Sequence, residues 1–253
     1  MNFDLQIAGI WKRISASLFD FIVMAMLVAG LATALSALFG YDRCMDRVTA
    51  FYDEYAERYD VDFSISEEDY LKLSEEDRLR YEAANQAMNA DPEAVYAYEM
   101  LSYLALVIVS ISLLFSFLLL ELALPLVFGN GQTLGKKIFG VAVIRSNGVR
   151  LRAPVLFVRA ILGKYTIETM IPVLLIIMIF FGSLGVVGTA VILGIAAVQV
   201  IVTGVTRHHR AIHDLLSDTV AVELASQMIF DSEEERIAYI EACHREKAER
   251  ASY

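Results

Sequence analysis

The sequence is poor in cysteine, with only Cys44 and Cys243 in 253 residues. Two cysteines do not build the disulfide framework of a small secreted domain. The chain also lacks a nucleophile–base pair, a specific metal-ligand cluster and any cofactor motif, so we expect neither an enzyme nor a cofactor. Apolar residues, by contrast, make up 57% of the chain. That excess is too large for an ordinary soluble domain.

Three long apolar runs hold this excess, at residues 14–39, 101–128 and 167–205. Each exceeds the ~20 residues that span the hydrocarbon core of a bilayer. The first run is too long for a signal-peptide core and no cleavage site follows it, so we expect it to remain as an anchor. As one straight helix the last run would reach ~58 Å, so a break at "GSLGVVG" predicts a hairpin of two short spans. The fold class predicted is an all-α polytopic membrane protein with about four transmembrane helices.

Charge is unevenly distributed along the chain and predicts the orientation. Residues 41–100 carry seventeen acidic and six basic side chains, whereas residues 130–165 carry seven basic and no acidic ones. Basic loops face the cytoplasm, and Lys12 and Arg13 precede the first span. We therefore expect a multi-pass protein of the cell membrane with cytoplasmic N- and C-termini. The same pattern gives no reason to expect nucleic acid as a partner.

The segments outside the spans are also expected to be ordered. Asn147-Gly148, in "FGVAVIRSNGVRLRAP", favours a type I′ turn and predicts a short cytoplasmic β-hairpin. Serines that precede acids by three residues predict helix caps at Ser64–Glu67, Ser74–Asp77 and Ser232–Glu235. The organisation predicted is a cytoplasmic N-terminus and first transmembrane helix (1–39), an acidic helical extracytoplasmic insertion (40–100), a second transmembrane helix (101–129), a basic cytoplasmic loop with the hairpin and an interfacial helix (130–170), a transmembrane hairpin (171–206), and a cytoplasmic His-Asp segment with an amphipathic C-terminal helix (207–253).

Two acids inside the predicted spans, Asp20 and Glu121, are the main candidates for function. A lone carboxylate at a helix centre in a bilayer costs roughly 2.5–3.5 kcal/mol, so it is usually partnered or used. Counted from the same membrane face, Asp20 lies ~9 Å and Glu121 ~10 Å deep at 1.5 Å per residue. If they face each other, repulsion and poor solvation would raise at least one pKa and leave a shared proton.

Three charged residues give the chain a family resemblance. Arg13 and Asp20 in the first span, together with Asp214 in "RHHRAIHDLLSDTVAV", resemble the RDD family, which is named for one arginine and two aspartates. "GQTLGKKIFGVAVIRSNG" is similar to the family's Gly-x-Thr-x-Gly-Lys stretch, and the acidic segment 41–100 looks like an insertion. The resemblance implies a membrane protein with a suspected transport role, since some members are reported as sodium/proton antiporters.

The leading hypothesis is exchange of monovalent cations for protons through Asp20 and Glu121, with Arg13 and Asp214 as a cytoplasmic latch. The network predicted consists of Arg13, Asp20, Glu121, His213 and Asp214, in a chain whose short spans favour a homodimer. Three alternatives stay open. The charged residues are a structural clamp; His209 and His213 ligate a metal; or the protein is a non-transporting accessory that binds partners through its acidic insertion and C-terminal helix. "GQTLGKK" does not match a phosphate-binding loop.

Overall fold

A computed structural model describes residues 5–180, 185–206 and 208–251. The chain forms two compact units: unit 1 comprises Met1–Ala25 and Phe117–Tyr253, and unit 2 comprises Met26–Ser116. The elements are α1 (Ile10–Phe39), α2 (Tyr41–Tyr59), α3 (Glu67–Lys72), α4 (Glu75–Ala90), α5 (Pro92–Phe117), a π-helical turn (Leu118–Ala123), α6 (Leu124–Phe128), α7 (Leu134–Ile138), β1 (Val141–Arg145), α8 (Ala153–Phe157), a π-helical segment (Val158–Met170), α9 (Ile171–Phe180), α10 (Gly185–Val205), α11 (Ile212–Leu216), β2 (Thr219–Glu223) and α12 (Glu233–Ala251).

Among the described residues, three helical stretches are long and apolar enough to cross a membrane, namely α1, Pro92–Phe128 and α10. With one small two-stranded sheet, this is the all-α polytopic membrane fold predicted. The count of four spans stays a prediction, because α9 has ten residues and continues from the π-helical segment. The first three residues of the predicted break "GSLGVVG" (182–188) lie outside the described residues, and its last four residues form the start of α10, which begins at Gly185.

Unit 2 folds around the apolar faces of its short helices. Tyr55 from α2 packs against Met88 and Ala94, and its hydroxyl donates to Asp91 at 3.0 Å. Ser74 caps α4 as predicted, since its hydroxyl oxygen accepts from the Asp77 amide at 3.1 Å. The predicted cap at Ser64 is wrong. Ser66 caps α3 instead, because the backbone and hydroxyl of Ser64 both donate to Asp62.

The sheet in unit 1 differs from the predicted hairpin. The turn at Asn147-Gly148 forms, with the Gly148 amide donating to the Arg145 carbonyl at 2.9 Å, but the chain after it makes only one described bridge to β1, from Arg150 to Ile144. The antiparallel partner of β1 is β2, which pairs Val141 with Glu223 through to Arg145 with Thr219. Both strands are buried along four of their five residues. A strand that is buried in this way needs an apolar partner. Residues 219–222, "TVAV", provide one, whereas residues 149–152 after the turn, "VRLR", carry two arginines.

Segments from both ends of the chain join this sheet. The Ala8 amide donates to the Ala221 carbonyl at 3.1 Å, and Ile7 bridges to Val222.

Beyond the sheet, the Glu235 amide donates to the Ser232 hydroxyl at 3.2 Å, so the predicted cap of the C-terminal helix is confirmed. Residues 154–170, predicted as an interfacial helix, are helical and mostly π-helical, and Arg159 on this segment is buried in unit 1.

Candidate functional site

Charged side chains meet in the interior of unit 1. Most are buried, and Asp214 is only 1% exposed. A buried charge is costly unless it is paired and hydrogen-bonded, so the partner of each group decides what that group can do. We call this set the charge network: Arg13, Asp20, Glu121, Lys136, Arg159, Lys164, Glu168, His213 and Asp214.

Asp214 has the largest set of partners in the charge network. Arg159 donates to its Oδ1 from Nη2 at 2.8 Å and from Nε at 3.1 Å. Arg13 approaches Oδ2 at 3.4 Å and donates to the His209 carbonyl at 2.6 Å. The structure therefore brings Arg13 and Asp214 together. Burial alone would raise the pKa of Asp214, but the charges of Arg159, His213 and Arg13 and the hydrogen bonds from Arg159 together outweigh it and hold that pKa well below its usual range. Asp214 thus stays ionised and anchors its neighbours.

Asp20 is bound by the loop that follows the second long helix. Its carboxylate accepts hydrogen bonds from the Gly135 amide at 2.7 Å and from the Thr133 hydroxyl. A Cβ at position 135 would lie 2.2 Å from the Ala16 carbonyl oxygen, so only glycine allows this close approach to α1. The loop thus satisfies the acid in a helix that is otherwise apolar.

Glu121 has a different partner from Asp20. It lies in the π-helical turn of the second long helix and forms an ion pair with Lys164. Among the described residues, no hydrogen bond joins Glu121 to Asp20, so the structure does not pair the two acids expected to share a proton. Asp20 is bound by Thr133 and Gly135, and Glu121 by Lys164. All three donors lie in the region that the sequence predicts as a basic cytoplasmic loop.

Glu168 and His213 form a pair that sequence reasoning did not identify. Nδ1 of His213 lies 2.8 Å from both carboxylate oxygens of Glu168, and the Gln199 amide donates to Oε1 at 3.1 Å. A Cβ at Gly163 would meet the His213 Cβ at 2.5 Å, so this glycine permits the close approach. Burial, followed by the Arg159 charge, lowers the pKa of His213 and favours its neutral form.

The π-helical segment explains why several network residues share one face. A π-helix bonds residues five apart, so side chains at i and i+5 lie above one another. Arg159 and Lys164 have this spacing, and the hydroxyls of Thr166 and Thr169 donate to carbonyls five residues back. Sequence reasoning used the α-helical period and missed this face. One signal was available: Glu168 is the only acid between Glu121 and Asp214.

A cavity of about 820 Å³ opens beside the network. Its charged lining consists of Arg13, Lys136, Arg159, Lys164, Glu168 and Asp214, and Ile14 and Val200 contribute apolar walls from α1 and α10. Asp20 and Glu121 are not among its lining residues. The cavity is therefore lined by ionisable side chains on one part of its surface and by apolar side chains of membrane-length helices on another.

Metal binding through His209 and His213 finds no support in the geometry. His209 Nδ1 lies 3.1 Å from the Thr203 carbonyl, whereas His213 Nδ1 contacts Glu168. Within residues 5–180, 185–206 and 208–251 no group of three or more His, Cys, Asp or Glu side chains is arranged to hold a metal ion.

Comparison with known protein families places most of the chain in one family model. The model of the RDD family matches residues 7–218, which cover α1 through α11 and include every member of the charge network. The comparisons with curated proteins and with solved structures gave no match.

Proposed function

The chain belongs to the RDD family, and on that premise we propose that it is a membrane transporter that exchanges a monovalent cation for a proton through the cavity of unit 1. The observation that carries the proposal is the lining of that cavity. Acidic and basic groups face one space of about 820 Å³ beside helices of membrane-spanning length. Ionisable groups within a membrane protein are functional by default when they face a cavity.

The network residues take different roles in this proposal. Glu168 lines the cavity and supplies a carboxylate for a bound cation, and His213 and Gln199 orient it. Asp214 stays ionised between Arg159 and Arg13 and acts as the latch. Asp20 and Glu121, which the sequence had indicated as the exchanging carboxylates, become positioning residues that hold the loop and Lys164.

The sheet of unit 1 supports a topology of four crossings. Hydrogen bonds join Ala8 to Ala221 and β1 to β2, and an open sheet does not straddle a bilayer. The number of crossings between Arg145 and Thr219 is therefore even. In this proposal helix α10 supplies one crossing and the helical stretch 153–180 supplies another. Basic residues around the sheet favour the cytoplasm as the side that holds both termini.

The test is ion flux with purified protein in proteoliposomes, with sodium, lithium and potassium each set against a proton gradient. Glu168→Gln should abolish flux, because it removes the carboxylate charge at nearly constant volume. The matched control is Glu93→Gln, at an exposed acid of unit 2 whose side chain is 77% exposed. Flux at the wild-type rate in Glu168→Gln, with the protein folded and inserted, would contradict the proposed role.

A second variant separates transport from an accessory role for the acidic insertion. All members of the charge network lie in unit 1, so a chain with residues 45–95 replaced by a short linker should still carry flux. An adaptor that works through this insertion would lose its function in the same variant. Loss of flux from a well-folded deletion variant would therefore count against a transport site confined to unit 1.

A further inference from the structure

The charges of the network balance. Four carboxylates stand against four basic groups while His213 is neutral: Asp20, Glu121, Glu168 and Asp214 against Arg13, Lys136, Arg159 and Lys164. With all four basic groups protonated the network carries no net charge. Removal of one proton would leave a net charge of −1 in a poorly solvated place, and a monovalent cation would restore neutrality.

Only one basic group in the network is suited to release that proton. Arginine keeps its proton in proteins, which excludes Arg13 and Arg159. Lys164 is held by its ion pair with Glu121. Lys136 is 8% exposed and lines the cavity, and its Nζ contacts the Thr133 hydroxyl oxygen at 3.3 Å. Within the described part of the chain, it forms no ion pair with a carboxylate.

The surroundings of Lys136 weaken its hold on the proton. Desolvation by burial is the largest cause, the positive charges of Lys164 and Arg159 add to it, and Glu121 and Asp20 oppose it. Together they lower the pKa of Lys136 to about 7. The Thr133 hydroxyl, which contacts Lys136, donates in turn to Asp20. The amine is therefore suited to release its proton near neutral pH.

Resting on the exchange function proposed above, we propose that Lys136 is the proton-exchanging group and that a monovalent cation replaces its proton in the cavity. The step is balanced: the ammonium of Lys136 loses H⁺ to the cavity and becomes a neutral amine, and one cation M⁺ enters. Glu168 is the carboxylate on the cavity wall that contacts the cation. The network is neutral in both states.

Because the proton on Lys136 and the cation exclude each other, the pH dependence of cation binding has a definite sign. At a pH below the pKa of Lys136, a cation binds only to the fraction of molecules that has lost the proton. The apparent Kd therefore falls as pH rises, by about tenfold for each pH unit, and levels off above the pKa. At constant pH, addition of the cation should release up to one proton per chain.

The experiment measures proton release and cation affinity with full-length protein in detergent, so it does not depend on transport. Sodium, lithium and potassium are the probes, added in weakly buffered solution between about pH 6 and 8, a window around the lysine pKa. Wild-type protein should release protons. Lys136→Arg should release none, because its charge is permanent. Lys136→Met should also release none, but should bind the cation with an affinity independent of pH.

Lys137→Arg is the matched control. Lys137 is the adjacent residue of α7, it is exposed, and its Nζ lies 3.8 Å from the Phe128 ring centroid. This variant should release protons like wild type. Proton release without flux in liposomes would refute the transport function and leave the exchange site standing. Flux with an unchanged pH profile in Lys136→Arg, or no proton release from wild-type protein, would overturn the role of Lys136.

Discussion

Acidic side chains are used differently in the two units. In unit 2, none of the seventeen acids is buried, and their ion pairs are largely local, as in Glu54–Arg58 and Asp77–Arg80. In unit 1, Asp20, Glu121 and Asp214 are buried, and their partners lie 115, 43 and 201 residues away in Gly135, Lys164 and Arg13. The exposed acids of unit 2 keep a surface solvated, whereas the three buried acids of unit 1 hold distant segments together.

The largest expected effect comes from removing a partner in unit 1. Arg159→Met leaves the Asp214 carboxylate buried without its two shortest donors, and should lower the free energy of unfolding by about 3–5 kcal/mol. Titration of purified protein with SDS in mixed micelles would measure this loss. The control Arg152→Met, at an exposed arginine, should stay within about 0.5 kcal/mol. A loss below about 1 kcal/mol in Arg159→Met would mean that the network is not a structural unit.

An intermediate effect is expected at a helix cap of unit 2. Ser74→Ala removes the acceptor for the Asp77 amide and should destabilise α4 by about 1 kcal/mol. Hydrogen exchange of the first-turn amides of α4 would detect this change as faster exchange. Ser64→Ala is the matched control, because Ser64 precedes an acid by three residues but caps no helix. Equal effects of the two changes would show that the cap contributes nothing specific.

The smallest effect is expected for the surface pairs of unit 2. Glu54→Gln breaks the exposed i,i+4 pair with Arg58 and should cost only about 0.3–0.5 kcal/mol. A double-mutant cycle with Arg58→Gln, read by thermal unfolding, isolates the pair. The coupling should also decrease in high salt. A coupling above about 1 kcal/mol would contradict the statement that surface pairs of unit 2 contribute little to stability.

Much of the fold follows from patterns that act over short distances. Run lengths predict the long helices, and serine–acid spacing predicts the caps at Ser74 and Ser232. The same spacing failed at Ser64, where Asp62 offers a nearer acceptor. Local rules also predicted the Asn147-Gly148 turn but not the partner of β1, because β2 comes 74 residues after the end of β1 at Arg145 and is separated from it by α10.

The site was only partly predictable for the same reason. Arg13 and Asp214 were expected to meet, and the structure brings them together at 3.4 Å. The partner of Asp20 was not expected, because backbone donors such as the Gly135 amide leave no charge pattern in a sequence. Lys136, Arg159 and Lys164 were interpreted as orientation signals, since nothing local distinguishes a buried lysine from one at the lipid headgroups. The π-helical period then placed Arg159 and Lys164 on a face that an α-helical pattern does not predict.

The long separation between Asp20 and its donors also shapes the biogenesis of the chain. Helix α1 leaves the ribosome before Gly135 has been made, because Gly135 follows Asp20 by 115 residues. At about 5–20 residues per second, synthesis of that interval takes about 6–23 s. During this delay the nascent first helix holds an acid that has no partner from its own chain. Until the central loop has been made, any hydrogen-bond donor to Asp20 has to come from outside residues 133–135.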